Sequence, residues 1–171
     1  MKKLIAITLC IVTTLSFTAC NKEAPPKDNT KQLSEENNQI PNPFEDCTTI
    51  ADAEKIAGFT VTLPKKMPKD YIKGSIQAIK DDMVQVFYEN GESELLVRKA
   101  KGNQDISGDY NQYSENSTMT VDGLEVSTRG NNGKVNVATW VNGEYTYSVG
   151  LYKDESGLDT DTMKDIVSII K

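Results

Sequence analysis

Three cysteines, no histidine and one dense run of Tyr, Asn and Asp carry whatever chemistry this chain can offer. Without an imidazole, Ser-His-Asp and Cys-His nucleophilic catalysis, His-liganded zinc and an imidazole acid–base pair are excluded. Cys10 lies inside an apolar run, Cys20 follows Thr18-Ala19, and Cys47 stands alone beyond them. Cys20 is the candidate for covalent chemistry, because a thiolate preceded by two small residues can accept a diacylglyceryl group. The run Asp105-Ile106-Ser107-Gly108-Asp109-Tyr110-Asn111-Gln112-Tyr113 is the candidate for recognition. Tyrosines among Asn, Asp and Ser form the composition that carbohydrate- and peptide-contacting surfaces use, with Asp105, Asp109, Tyr110, Asn111 and Tyr113 as contact residues. The competing use of the same tyrosines is to pack against the sheet edge and order the loop. Asp154, Glu155, Asp159 and Asp161 could gather calcium, but their spacing does not fit an EF-hand and helix capping accounts for Asp159 and Asp161. No metal, no cofactor and no enzymatic activity are therefore expected. Nothing singles out a carboxylate pair for glycoside hydrolysis.

The residues around Cys20 define its context. Met1-Lys2-Lys3, an apolar stretch from Leu4 to Leu15 and small residues before Cys20 are the parts of a secretory signal. The apolar stretch, roughly twelve residues, is short for a permanent membrane span, which needs about 20. Thr18-Ala19-Cys20 fits a lipoprotein signal, and bulky Phe17 opposes cleavage by an ordinary signal peptidase. Residues 1–19 are thus expected to leave, and Cys20 to hold the chain to the outer face of a membrane through acyl chains. With Cys20 lipidated, Cys47 has no partner for an intramolecular disulfide.

Residues 20–43 read as the lipidated cysteine and a disordered tether. Asn, Lys, Glu, Gln and Pro dominate there, and such a segment cannot bury enough surface to offset its chain entropy. As a flexible chain it spans roughly 25 Å. The whole chain of 171 residues has a formal net charge of −6, and losing Lys2 and Lys3 makes the remainder more negative. That balance argues against nucleic acid as a partner and against a cationic grip on anionic lipid.

Residues 44–171 read as a single globular α+β domain, an antiparallel meander sheet covered by a C-terminal helix, with a short N-terminal helix. Thr49 is placed to cap a helix over Ile50–Ala57, closed by Gly58. Phe59-Thr60-Val61-Thr62-Leu63 reads as a short strand. Asn90-Gly91, Asp122-Gly123, Asn132-Gly133 and Asn142-Gly143 punctuate strands at hairpin spacing, which implies a continuous meander. Alternation puts Val135, Val137 and Val141 on one side of a strand and Ala138 and Trp140 on the other. Met163, Ile166, Val167 and Ile170 share a face of a final helix capped by Asp159 or Thr160. The irregular segment between Ala100 and Thr118 holds the candidate contact residues.

Four stretches carry a resemblance: Asn42-Pro43-Phe44-Glu45-Asp46-Cys47, Ala53-Glu54-Lys55-Ile56-Ala57-Gly58-Phe59, Asp105-Ile106-Ser107-Gly108-Asp109-Tyr110-Asn111 and Gly133-Lys134-Val135-Asn136-Val137-Ala138-Thr139-Trp140. Over roughly residues 42–171 the chain resembles clostridial-type, Gram-positive lipoproteins of domain-of-unknown-function family 4367. The resemblance implies an extracytoplasmic domain of the kind carried by lipoproteins and membrane-bound regulatory proteins. It implies no catalytic residue. The expected function is a non-enzymatic binding or sensory module at the outer membrane face, with an extracytoplasmic ligand or protein as partner. Two other classes compete: a lipid carrier enclosing its ligand between sheet and C-terminal helix, and a carboxylate hydrolase of wall glycan.

Overall fold

Asp122-Gly123 and Asn132-Gly133 make two-residue turns with positive φ at both residues. Asn90-Gly91 opens a longer connection between paired Glu89 and Glu94. Gly143-Glu144 turns between paired Asn142 and Tyr145, one residue later than the expected Asn142-Gly143. The strands between these turns assemble into one sheet. The structure, a computed structural model, describes residues 41–91, 93–153 and 156–170. The leader, Cys20, nearly all of the tether, Asp154 and Glu155 lie outside the described residues. In chain order the elements are β1 (Glu45–Cys47), α1 (Ile50–Ala57), β2 (Ile72–Ile79), β3 (Met83–Glu89), β4 (Glu94–Lys101), β5 (Glu115–Val121), β6 (Leu124–Asn131), β7 (Lys134–Asn142), β8 (Tyr145–Tyr152) and α2 (Thr160–Ile169).

The sheet is eight-stranded and antiparallel, in the order β1-β2-β3-β4-β8-β7-β6-β5. This corrects the continuous meander. Two four-stranded meanders meet where β4 pairs with β8, with Leu95 opposite Leu151, Val97 opposite Val149 and Lys99 opposite Tyr147. Burial explains the break. β8 is buried on both faces from Thr146 to Leu151 and so takes a central position, whereas β5 exposes Glu115–Thr118 and suits an edge.

The core lies on one face only. Val84, Val86, Leu95, Val97, Val126, Trp140 and Val149 meet Ala53 and Ala57 of α1 and Met163, Ile166, Val167 and Ile170 of α2. The cover is therefore shared: α1 lies on β2 and β3, and α2 on β7 and β5. Both helices are capped from the sequence. The Thr49 hydroxyl accepts from the Asp52 N–H while Asp52 accepts from the Thr49 N–H, and Asp159 accepts from the Thr162 N–H.

Phe59–Leu63 is not a strand, although its composition favours one. It pairs with no strand, and side chains hold it instead. Glu54 accepts from the Val61 N–H at 2.8 Å, and Lys99 Nζ donates to the Thr60 carbonyl at 2.8 Å. Lys99 is 6% exposed, with its ammonium 4.4 Å from the centre of the Tyr145 ring. Burial pulls its pKa below the ordinary lysine value.

A bulge corrects the face assignment on β7. Gly130 pairs with Val135 but Arg129 with Val137, which leaves Asn136 as the extra residue. Val135 therefore joins Ala138 and Trp140 in the core, and Val137 takes the opposite face. A Cβ on Gly130 would fall on the Lys134 carbonyl oxygen. Gly130→Ala is expected to cost roughly 1–3 kcal/mol, read as a lower denaturation midpoint with an unchanged m-value. An unchanged midpoint would show that the bulge is not held as described.

Candidate functional site

The face opposite the helices is crossed by the long loop. Because Leu95, Val97 and Lys99 point into the core, Leu96, Arg98 and Ala100 point away from it. Residues 102–114 leave β4 and enter β5 at the far edge, so they must pass β8, β7 and β6. β5 begins three residues earlier than its β-branched run, at Glu115, and the loop is correspondingly shorter than expected.

Three side chains from three strands converge on Ser107. Arg98 of β4 donates through Nη1 to the carbonyls of Ile106 at 2.9 Å and Ser107 at 2.7 Å. The Tyr152 hydroxyl of β8 donates to the same Ser107 carbonyl. Arg129 of β6 donates to the Ser107 hydroxyl at 2.8 Å and pairs with Asp105 at 3.3 Å. Ser107 is 3% exposed, and a Cβ on the neighbouring Gly108 would collide with the Arg98 guanidinium. The Ser-Gly pair lets the loop lie directly on the arginine.

The loop also bonds to itself. Asp105 Oδ1 accepts from the Ser107 N–H and Asp109 Oδ1 from the Asn111 N–H, both at 2.8 Å, giving two successive Asx turns. The Tyr113 hydroxyl donates to Asp109 Oδ2 at 2.7 Å. Burial and this bond to a carboxylate push the Tyr113 phenol up to about 12. Burial also acts to raise the Asp105 carboxyl, but hydrogen bonds from Ser107 and the Arg129 charge outweigh it and leave the pKa lowered.

The five candidate contact residues thus divide. Asp105, Asp109 and Tyr113 hold the loop's own shape. Tyr110 stands 96% exposed, and Asn111 lines a cleft of about 650 Å³. Tyr113, Gln112, Asn131, Asn132 and Tyr152 also line that cleft, so Tyr113 both braces the loop and faces the cleft. Lys153 is its one charged lining residue among those described. Its far wall comes from the β6–β7 turn, which sequence patterning did not connect to the loop. Arg98, Arg129 and Tyr152 were missed as well. A guanidinium placed directly after the apolar run Leu95-Leu96-Val97 was the available signal for the first of them.

Acids near the C-terminus serve the final helix: Asp159 is the expected cap of α2, and Asp161 pairs with Lys164 at 3.7 Å. No group of three or more metal-ligating residues gathers among the described residues. The space between sheet and α2, where a lipid carrier would hold its cargo, is filled by Met163, Ile166, Val167 and Ile170. Among the described residues no helix is long and apolar enough to cross a membrane. Searches against protein-family models, curated proteins and solved structures match nothing to this chain.

Replacing the central arginine tests the assembly. Arg98→Met keeps the stem but removes the Arg98 bond to the Ile106 carbonyl and leaves the Ser107 carbonyl with Tyr152 alone, at a cost of roughly 1–3 kcal/mol. Hydrogen exchange of the loop amides should accelerate while the core strands stay protected; unaltered loop exchange would contradict the anchoring. Acid provides a second check. Because the folded-state pKa of Asp105 is depressed, its stabilisation is complete above the unfolded value of about 3.9 and is lost as pH falls through the folded one. As pH falls below about 4 the loop amides should progressively lose protection, and Asp105→Asn should flatten that dependence.

Proposed function

We propose that the protein is a lipid-anchored extracytoplasmic binding module, non-enzymatic, that takes a polar, hydroxyl- and amide-bearing ligand at loop 102–114. One observation carries the proposal: Tyr110 is in water on a loop fixed from beneath by Arg98, Arg129 and Tyr152. A large aromatic on a mobile loop folds back onto the surface, and here the anchoring keeps it projecting. An immobile tyrosine offers contact area at small entropic cost on binding. The cleft next to it presents amides from Asn111, Gln112, Asn131 and Asn132, which pair with hydroxyls and peptide groups. Glycan or peptide of the cell wall has that chemistry. The anchor rests on the charged start, the apolar stretch and Thr18-Ala19-Cys20. The resemblance to family 4367 lipoproteins supports the same location.

One experiment tests anchor and site together. The protein recovered from host membranes, analysed by native mass spectrometry, should begin at Cys20 with a diacylglyceryl mass and carry a hydrophilic ligand. The Tyr110→Ala form should keep the lipid and the melting temperature but lose the ligand, with affinity down about tenfold or more. A mature chain that begins elsewhere, or a bare thiol at Cys20, removes the anchor. Undiminished ligand on Tyr110→Ala removes the site.

A further inference from the structure

A second surface, built from other residues, has different chemistry. Between α1 and the start of β2 lies an open cleft of about 660 Å³, floored by Val61, Leu63, Met67, Tyr71 and Tyr88. Pro64, Lys66 and Met67 also line a neighbouring groove of about 240 Å³ that runs to Ile166 and Ile169 of α2. The shared residues make the two a single trough. Its ends carry Ile72, 71% exposed, and Ile169, 42% exposed. Two of the large apolar side chains most in water among the described residues therefore belong to this one feature.

Charge sets the trough apart from the rest of the surface. Lys65, Lys66 and Lys73 line the wider end, and none forms an ion pair among the described residues. Asp70 is the acidic residue beside them, and Asp165 lines the narrower end next to Ile166 and Ile169, so the surplus of cations lies at the wider end. On a chain of net charge −6, a local surplus of cations over an apolar floor is a specific arrangement, not an average one. An independent observation points to the same end. Tyr88 is 3% exposed, and its hydroxyl has no hydrogen-bond partner among the described residues. A buried donor without an acceptor is uncommon enough to require an explanation. Lys73 sits opposite Tyr88 in the β2–β3 ladder, so cation and unused donor share one face.

We propose that this trough binds a single-chain anionic amphiphile, with its acyl chain over Met67 toward Ile169 and its carboxylate or phosphate among Lys65, Lys66 and Lys73. The apolar length takes the chain, the lysines take the charge, and the Tyr88 hydroxyl supplies a donor at the head-group end. The site is separate from the loop cleft and does not depend on a ligand there. The molecule can come free from solution or out of a bilayer, and the two sources share this chemistry.

The test uses the full chain carrying Cys20→Ser, so that no attached lipid competes. Laurate and dodecyl phosphate are titrated below their micelle concentrations, with dodecanol and dodecyltrimethylammonium as controls. Both anions should bind one per chain, at least about tenfold more tightly than either control. Lys65→Gln with Lys66→Gln should weaken the anions about tenfold and leave the melting temperature unchanged, since both lysines are exposed. Tyr88→Phe keeps the ring and should weaken anion binding severalfold. Flotation with phosphatidylglycerol vesicles, absent with phosphatidylcholine and abolished by the lysine changes, would identify the bilayer as the source. Binding of monomers without flotation would identify the free amphiphile. Equal binding of the cationic control, anion affinity indifferent to the lysines, or no binding in either arm overturns the proposal.

Discussion

Arg98 is the contact on which the loop depends, and its influence runs in two directions. Toward the loop, its Nη1 holds two carbonyls. Toward the sheet edge, its Nε donates to Gln85, Gln85 donates to Gln77, and Gln77 donates to Asp46. Each link crosses one strand boundary, from β4 through β3 and β2 to β1. The orientation of both glutamine amides is forced, because a guanidinium can only donate and an ionised carboxylate can only accept. A chain of bonds all pointing one way from cation to anion polarises each member favourably. It also accounts for β1, a three-residue polar strand with little apolar surface of its own to hold it.

The same strand carries a second cation on its other side. Arg98 and Lys99 are consecutive, so the pleat sends one to the outer face and the other into the core. Arg98 fixes the long loop, and Lys99 fixes the extended segment at Thr60. Both segments lack strand partners, and a backbone carbonyl without one must find a donor elsewhere. Two adjacent side chains of β4 supply those donors on opposite faces. The pairing of β4 with β8 puts Tyr147 opposite Lys99 and Ser148 opposite Arg98, so the junction of the two meanders is where both pegs stand.

Local chemistry was legible in the sequence and non-local pairing was not. The Asn-Gly and Asp-Gly turns, the Thr49 and Asp159 caps and the apolar stripe of α2 each depend on a few neighbouring residues. The β4–β8 pairing joins segments about fifty residues apart, and no turn signal reports it. Phe59–Leu63 has strand composition but joins no strand and is held by Glu54 and Lys99 side chains, so composition misled there. The loop failed in a different way. Its aspartates read as ligand contacts because Asx turns and binding surfaces draw on the same residue types. Only the positions of the Ser107 and Asn111 N–H groups separate the two uses, and those are tertiary facts. Tyr110 was distinguishable from Tyr113 on the same basis alone: one phenol has a carboxylate within the loop and the other has only water.

That division bears on what the loop can do. A segment whose acids and one tyrosine are occupied by its own hydrogen bonds has few conformations left to lose. The remaining Tyr110 and the amides of the adjacent cleft are then presented in a fixed arrangement, and binding there would require little further ordering. The cleft presents mostly amides and hydroxyls, with Lys153 as its one charged lining residue among those described. A ligand held there would be selected chiefly by hydrogen-bond geometry, in contrast to one held by the lysines that line the trough between α1 and β2.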